Sequence, residues 1–371
     1  MTDHYLDHNA TTPADPRVLE RFLEVEQACP ANPASVHGLG RRALSIVEEA
    51  REQTAAALSC SASDIVFVSG GTEANNLAIR GLGNPDLPVL MAPVEHPSVV
   101  EPAKLRGIVH WRVDGQGRAQ VEPPASKVGL IALVHGQSEV GTLQPVVVAA
   151  ELSNDLQVPL HVDAAQTLGR VALDDVMQLA DSVSLSPHKA GGLRGSGVLV
   201  ARAAGHRLRP LLRGGEQEHG LRPGTVSPAH AASTALAIEL AQRERTERAS
   251  RMRAGVQALL EPLVELMDAA HVRNLTPVQD ALPNTVMLAI RGVEGRTLLP
   301  ALDLDGLAVS QGSACATGSP QPPRVLTAMG LEDDEARACI RLSLGRDSDR
   351  ESCAAAGLRL ARVIVRLRKK K

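Results

Sequence analysis

Residues 158–167 read VPLHVDAAQT, and residues 181–192 read DSVSLSPHKAGG. Each stretch begins with apolar residues typical of a buried strand and ends in polar residues. One strand–helix–strand unit separates Asp163 from Lys189, and the strands of such a unit run parallel. Because parallel strands end at the same edge of a sheet, and ligands of open α/β folds bind there, we expect both side chains to face one cleft.

The same alternation of short apolar runs and helical stretches extends beyond these two strands. Further buried strands are predicted in DIVFVSG, PVLMAP, VGLIALVHG and GSGVLVAR, all between residues 64 and 202. Two helices are predicted before them, in PADPRVLERFLEVEQ and GLGRRALSIVEEAREQTAAAL; Asp15 would cap the first, with Pro16 at its first position. This pattern predicts an α/β protein with a mostly parallel central sheet.

The pattern changes after about Thr225, and the change predicts a second domain. Residues 228–270 have a helical pattern longer than an ordinary globular helix, which indicates a helix that connects two domains. The strands NTVMLAI and GLAVSQG and a final helix from residue 349 follow. We expect a large α/β domain over residues 16–250. A smaller α+β domain would combine residues 1–15 with residues 251–371.

Composition argues against several classes of function. The chain has 371 residues, a formal net charge of −3 and 1% aromatic residues. Charge therefore favours neither nucleic acid nor membrane binding, and stacking platforms for bases are lacking. The five cysteines contain no CxxC pair, which argues against a disulfide framework and against a zinc ribbon. The first residues contain no apolar signal region, so the cytoplasm is the simplest compartment.

Four segments carry residues suited to one cofactor. A carboxylate and a lysine in one cleft suit pyridoxal phosphate, because the lysine forms a Schiff base and the aspartate keeps the pyridine nitrogen protonated. Gly71 and Thr72 precede a helix whose first amides could bind the phosphate. His96 could stack on the ring and move protons. Taken singly, each residue also has an ordinary structural explanation, such as a solvated lysine or a helix cap.

Eleven segments occur in an order that resembles the cysteine desulfurases of the NifS/IscS class. They run from about Tyr5 to Arg346 and read YLDHNATTPADPRV, NPASVHGLGRRA, SGGTEANNLAI, EHPSV, EVGTLQPV, HVDAAQTLGRV, SLSPHKAGG, GLRPGT, PNTV, GSACATGS and IRLSLGR. The resemblance covers nearly the whole chain. It implies fold type I of the pyridoxal phosphate enzymes, pyridoxal 5'-phosphate as cofactor, and a homodimer.

The resemblance also implies a role for each cofactor-binding residue. Lys189 would bond covalently to the cofactor, Asp163 would pair with its pyridine nitrogen, and Gln166 would donate to its phenolic oxygen. His96 would stack on the ring, and Thr225 would reach the phosphate of the partner subunit. The full set implied is Lys189, Asp163, Gln166, Gly71, Thr72, Ser186, His188, Thr225, Ser138 and His96.

A substrate site and a nucleophile follow from the same resemblance. Arg341 would bind the carboxylate of L-cysteine through its planar fork, and Asn32 lies in a stretch associated with the substrate end. Cys315 stands among small residues in a loop predicted at about residues 311–324, where a thiol is poorly buried. It would attack the substrate sulfur as a thiolate and hold it as a persulfide, with Lys189 and His96 as the other catalytic residues.

The chain departs from the family pattern at a few positions. Ser138 occupies the position of a family asparagine that contacts the cofactor. His219 replaces an arginine of the family pattern, and Arg194 replaces a lysine. None of these changes removes a chemically essential group. Two alternatives remain: another pyridoxal phosphate lyase, such as a selenocysteine lyase, or a non-catalytic scaffold. The sequence also leaves open which pathway the sulfur acceptor belongs to: iron–sulfur cluster biogenesis, tRNA thiolation, nitrogenase maturation or DNA sulfur modification.

Overall fold

The computed structural model describes residues 4–202, 208–266, 271–312 and 322–368. The helices are α1 (Pro16–Ala28), α2 (Gly38–Leu58), α3 (Gly71–Gly81), α4 (Pro97–Lys104), α5 (Val146–Leu156), α6 (Asp174–Leu179), α7 (Pro228–Arg243), α8 (Arg245–Leu266), α9 (Gly295–Leu304), α10 (Arg324–Ala328), α11 (Asp333–Arg337) and α12 (Arg350–Arg368). The strands are β1 (His4–Tyr5), β2 (Ile65–Val68), β3 (Val89–Met91), β4 (Ile108–His110), β5 (Arg112–Val113), β6 (Ala119–Gln120), β7 (Leu130–Val134), β8 (Leu160–Asp163), β9 (Ser182–Leu185), β10 (Gly197–Ala201), β11 (Val272–Asn274), β12 (Thr285–Ile290), β13 (Leu307–Ala308) and β14 (Cys339–Ser343).

A seven-stranded sheet forms the centre of the molecule, in the order β2-β10-β9-β8-β7-β3-β4. Neighbours from β9 to β4 pair in parallel, and β10 pairs antiparallel with both β9 and β2. Strands β2, β3 and β7 to β10 are buried at every position. Strands covered on both faces read as continuous apolar runs, and these runs predicted the sheet correctly.

The bounds of the helices follow from capping side chains and proline positions in the sequence. The Asp15 carboxylate accepts a hydrogen bond from the Arg17 amide and caps α1, whose first residue is Pro16, as predicted. Helix α2 has the bounds of the quoted helical segment. The long helical pattern after Ser227 consists of two helices, α7 and α8, which meet at Glu244.

A second, smaller sheet has the order β11-β12-β14 and is antiparallel. Its own apolar core includes Leu259, Val286, Leu342 and Leu360, and α8 packs against α12 beside it. The predicted boundary between residues 250 and 251 falls inside α8, and the division into domains stays a prediction. Among the described residues, no helix combines the length and apolar character needed to span a membrane.

The N-terminal arm, residues 4–12, connects the two sheets. Strand β1 pairs in parallel with β13, and Asp7 forms a bridge with Ser343 on β14 of the smaller sheet. The Asn9 amide nitrogen donates to the Ser138 carbonyl at 3.0 Å and to the Thr285 hydroxyl at 2.8 Å. Its oxygen accepts from Arg170 at 2.9 Å and from Asn284 at 3.0 Å. One buried side chain thus uses its full hydrogen-bonding capacity across both sheets.

Candidate active site

A cavity of about 420 Å³ lies at the carboxyl edge of the parallel strands. Its walls come from the segments that follow β2, β3, β7, β8 and β9, which the chain order separates but the sheet brings together. Nine of the ten predicted cofactor residues line it: Gly71, Thr72, His96, Ser138, Asp163, Gln166, Ser186, His188 and Lys189. The expectation that Asp163 and Lys189 face one cleft is therefore confirmed, while the role of each residue stays a prediction.

Lys189 lies in a single 3-10 turn, Pro187–Lys189, directly after β9. Its amide donates to the Ser186 carbonyl at 3.0 Å, which closes the turn. Burial lowers the pKa of Lys189 to about 8, against the opposing effect of the Asp163 carboxylate. A larger share of the amine is therefore neutral near pH 7 than in a solvated lysine. The neutral amine is the form that can bond to an aldehyde.

Asp163 is held rigidly at the end of β8. Its Oδ2 accepts from the Asn75 amide at 2.8 Å, and its Oδ1 accepts from the Ala165 backbone N–H at 2.9 Å. Asn75 is itself fixed, because it also donates to the Ser98 hydroxyl at 2.8 Å and accepts from the Ser184 hydroxyl at 2.5 Å. The sequence prediction missed Asn75. Its signal was a polar residue on the buried face of an amphipathic helix.

His96 joins the same polar network from the other side. Its Nδ1 lies 2.7 Å from the Ser98 hydroxyl and accepts from the Ser98 amide at 3.1 Å, so the imidazole caps α4. Burial lowers the pKa of His96, which keeps the ring neutral at neutral pH. Since Nδ1 is occupied, Nε2 is the ring nitrogen left for the cavity.

Glu95, next to His96, is a buried acid that the sequence prediction also missed. Its Oε1 accepts from the Val134 amide at 2.9 Å, while its Oε2 is buried and has no hydrogen-bond partner in the described part of the chain. Burial raises the pKa of Glu95 well above its usual value, and the charge of Asp163 raises it further. Burial therefore favours the protonated carboxyl over the charged carboxylate.

The part of the cavity formed by the start of α3 is suited to an anion. Helix α3 begins at Gly71 and points its first backbone amides at this space. A Cβ atom on residue 71 would lie only 2.2 Å from the Ser186 hydroxyl oxygen, so glycine permits the close approach of these two segments. The His188 Nδ1 lies 3.0 Å from the Thr11 hydroxyl, and His188 also lines the cavity.

These residues fit pyridoxal phosphate. The cavity holds an anion-binding helix start, an amine of lowered pKa and a carboxylate fixed by two donors, which are the groups that the phosphate, the aldehyde and the pyridine nitrogen require. Ser138 and Arg194, two of the departures from the family pattern, line the cavity too.

Arg341, the predicted carboxylate ligand, lies on β14 and is engaged within the protein. Its guanidinium pairs with the Asp7 carboxylate at 2.5 Å and donates to the Ser138 carbonyl at 3.0 Å. Its Nε is buried and has no hydrogen-bond partner among the described residues. Substrate binding by Arg341 stays a prediction, and the ion pair with Asp7 was not expected from the sequence.

Other predicted residues lie away from the cavity. Asn32 is exposed in a turn, where its side chain accepts from the Ala34 amide at 2.9 Å, and it does not line the cavity. Thr225 lines a neighbouring cavity of about 160 Å³, which shares Ser69 and Gly195 with the first. Cys315 lies outside the described residues.

The turn that contains His219 is unusual in its backbone. Glu218 and His219 both have left-handed φ angles, 49° and 58°, which non-glycine residues seldom adopt. The Glu218 carboxylate is buried and pairs with the Arg51 guanidinium at 2.7 and 2.9 Å. It also accepts from the Phe67 amide at 2.7 Å. This buried ion pair attaches the turn to α2 and β2.

Comparison with known proteins agrees with this geometry. Residues 4–355 match the family model described as aminotransferase class-V. The chain is 36% identical to the cysteine desulfurase of Frankia sp. (strain EuIK1), over 98% of this chain and 92% of that protein. It is similar to the solved structure of a NifS-like protein, with 30% identity, a TM-score of 0.87, and 98% and 99% of the two chains covered. It is also similar to the structure of SspA in complex with cysteine, with 29% identity, a TM-score of 0.76, and 92% and 98% covered.

Proposed function

The chain belongs to the class-V aminotransferase family, and on that premise we propose that it is a pyridoxal phosphate-dependent cysteine desulfurase. It converts L-cysteine to L-alanine, with the sulfur held as a persulfide on Cys315 and then passed to an acceptor. The observation that carries the proposal is one cavity lined by Asp163, Lys189 and the start of α3. The cysteine desulfurase named above and the cysteine complex of SspA support the reaction and the substrate.

Asp163, Lys189 and His96 each have a defined task in this proposal. When bound, pyridoxal phosphate supplies an electron sink that makes bonds at the substrate's α and β carbons easier to break. The Asp163 carboxylate, fixed by Asn75, holds a proton on the pyridine nitrogen. The Lys189 amine, whose pKa lies near 8, takes the proton from the α-carbon of cysteine. The neutral His96 ring excludes water and offers Nε2 for proton movement.

The sulfur step belongs to Cys315 in this proposal. Its thiolate attacks the substrate sulfur, so an S–S bond forms while the bond between the β-carbon and sulfur breaks. The electron pair of the broken bond stays with the carbon fragment, which takes up protons and leaves as alanine. Arg341 would bind the substrate carboxylate after it exchanges the Asp7 carboxylate for that of the substrate.

The assembly and the sulfur acceptor are also part of the proposal. We expect a homodimer in the cytoplasm, in which Thr225 contributes to the phosphate site of the partner subunit. Within its own chain Thr225 lines the neighbouring cavity and not the first one, so its contribution to a phosphate site depends on the proposed dimer. An acceptor protein, as in iron–sulfur cluster biogenesis, would take the persulfide sulfur.

Cys315→Ser tests the proposed function. The variant should retain the cofactor, since Cys315 acts after the substrate has bound, but alanine formation should fall by roughly two orders of magnitude or more. The assay incubates wild type and variant with L-cysteine and measures alanine and sulfide. Cys60→Ser is the matched control, because burial raises the pKa of Cys60 to about 11 and keeps it a thiol. Normal alanine release by Cys315→Ser would contradict the assignment.

A further inference from the structure

Arg170 is a buried cation that lies directly behind the cavity. The residue is 4% exposed. One guanidinium nitrogen donates to the Gln166 side-chain oxygen at 2.6 Å and to the Asn9 side-chain oxygen at 2.9 Å. The other donates to the Lys189 carbonyl at 3.1 Å and to the His8 carbonyl at 3.3 Å. All these acceptors are neutral oxygens, and no carboxylate in the described ranges forms an ion pair with Arg170.

A buried cation without a counter-ion is costly, so it needs a reason. Burial lowers the pKa of Arg170 to about 9, and the positive charge of Arg341 lowers it further, yet the group stays charged at neutral pH. Arg170 also lowers the pKa of Lys189. A neutral hydrogen-bonding residue could join the same loops without this cost, which indicates that the charge and the donors themselves serve the cavity.

The contact with Gln166 determines which polar group this amide offers to the cavity. Guanidinium nitrogens can donate but cannot accept, so the Gln166 oxygen must face Arg170. The Gln166 nitrogen donates one hydrogen to the Asn9 carbonyl at 2.9 Å. Because Gln166 lines the cavity and a primary amide has two N–H groups, a donor is left for the cavity and the flipped orientation is excluded.

We propose that Arg170 is a positioning residue, which holds the Gln166 amide with an N–H toward the cavity and places a positive charge behind Lys189. The inference rests on the proposed function, because the group that accepts this N–H is the phenolic oxygen of pyridoxal phosphate. Arg170 acts through Gln166 and Lys189 and does not itself line the cavity.

The test compares Arg170→Met and Arg170→Lys with wild type. Two quantities are measured: the Kd of pyridoxal phosphate for each apoprotein, and the pH midpoint of the bound cofactor's absorption band. Arg170→Met should weaken binding roughly tenfold, the worth of a hydrogen bond that is no longer held in place. It should also raise the midpoint, because a cation that disfavours protonation is gone. Arg170→Lys keeps a charge and one donor, and should recover part of both effects.

Arg248→Lys is the matched control. Arg248 is also a buried arginine, on α8, and it donates at 2.9 Å to the carbonyl of Ala190, directly after the turn of Lys189. It pairs with Glu244 and forms no hydrogen bond with Gln166 among the described residues. Its replacement should leave the Kd and the pH midpoint unchanged. The proposal would be overturned if Arg170→Met lowered the melting temperature but kept the wild-type Kd and pH midpoint. That result would describe a purely structural residue.

A double-mutant cycle isolates the action through Gln166. In a Gln166→Ala background, Arg170→Met should weaken cofactor binding no further, because the amide that it orients is absent. Equal weakening with and without Gln166 would overturn the proposal. If Arg170→Met does not fold, Arg170→Lys replaces it in the cycle with the same criterion. A wild-type protein that binds no pyridoxal phosphate would overturn the proposed function as well. A wild-type protein that binds it, but whose variants show no coupling between Arg170 and Gln166, would overturn this inference alone.

Discussion

At the scale of single residues, Glu95 illustrates how burial changes the protonation state of a side chain. One of its oxygens has a partner in the Val134 amide, and the other has none in the described chain. Its pKa lies well above the usual 4.5 in the folded protein. Between these two values the folded state binds one more proton than the unfolded state, so the contribution of Glu95 to stability falls as the pH rises.

Glu95→Gln should therefore stabilise the protein in a pH-dependent way. Glutamine is neutral and of similar shape, so little changes near pH 4.5. Above that pH the variant should gain roughly 1.4 kcal/mol per pH unit, until the pH reaches the raised pKa of Glu95. Urea unfolding of both proteins at pH 5, 6 and 7 measures the difference.

Glu101→Gln serves as the control for Glu95→Gln. Glu101 is exposed, and among the described residues its ion pair is with Lys104 on the same helix, so its replacement should change the free energy of unfolding by less than about 1 kcal/mol. A constant difference for Glu95→Gln over the three pH values would contradict a raised pKa of Glu95.

At the scale of elements, the buried pair of Arg51 and Glu218 connects helix α2 to a strained turn. The guanidinium also donates to the Ile65 carbonyl at 2.7 Å, which adds the start of β2 to the same contact. The turn residues 218 and 219 keep left-handed φ angles although neither is glycine. Such a conformation persists only where the surroundings hold it, and the ion pair supplies that hold.

Arg51→Met should destabilise the protein by about 3–5 kcal/mol. The substitution leaves the Glu218 carboxylate buried with only the Phe67 amide as a donor, and an uncompensated buried charge is costly. The urea midpoint measures the loss. Lys104→Met removes an exposed ion pair instead and should cost less than about 1 kcal/mol. Similar losses in the two variants would show that the buried ion pair contributes no more to the free energy of unfolding than the exposed one.

The elements could be predicted from the sequence because their signals are local. Buried strands such as β7 and β8 read as apolar runs, and Asp15 with Pro16 marks the start of α1. Most of the cavity could be predicted too, because its residues directly follow predicted strands. The bridging roles of Asn9 and Arg170 could not, since their partners lie on several distant segments that only the folded sheet brings together.

At the scale of the whole molecule, the N-terminal arm carries the connection between the two sheets. Asn9 contacts Ser138 beside the larger sheet and Thr285 and Asn284 in the smaller one. Its backbone carbonyl also receives the Gln166 amide. The geometry of the cavity and the contact between the two sheets therefore depend on the same short segment.

Asn9→Ala should loosen this connection. The substitution removes four buried hydrogen bonds, each worth roughly 1 kcal/mol, so we expect a loss of several kcal/mol although each partner keeps another hydrogen bond. Because the partners belong to two sheets, the calorimetric transition should also broaden or split. Asn154→Ala, on the exposed face of α5, is the control and should change neither property. A single sharp transition at the wild-type temperature would contradict the connecting role of Asn9.

The arm also has a consequence for the order of events on the ribosome. His4 pairs with Leu307, and Asp7 bridges to Ser343. The first described residues therefore cannot form these contacts until the C-terminal part of the chain has been translated. Closing so long a loop is slow and entropically unfavourable. A nascent chain halted after β10 already contains Asp163 and Lys189, but its arm has no strand to join. We therefore expect stable capture of the cofactor to follow release of the finished chain rather than to accompany translation.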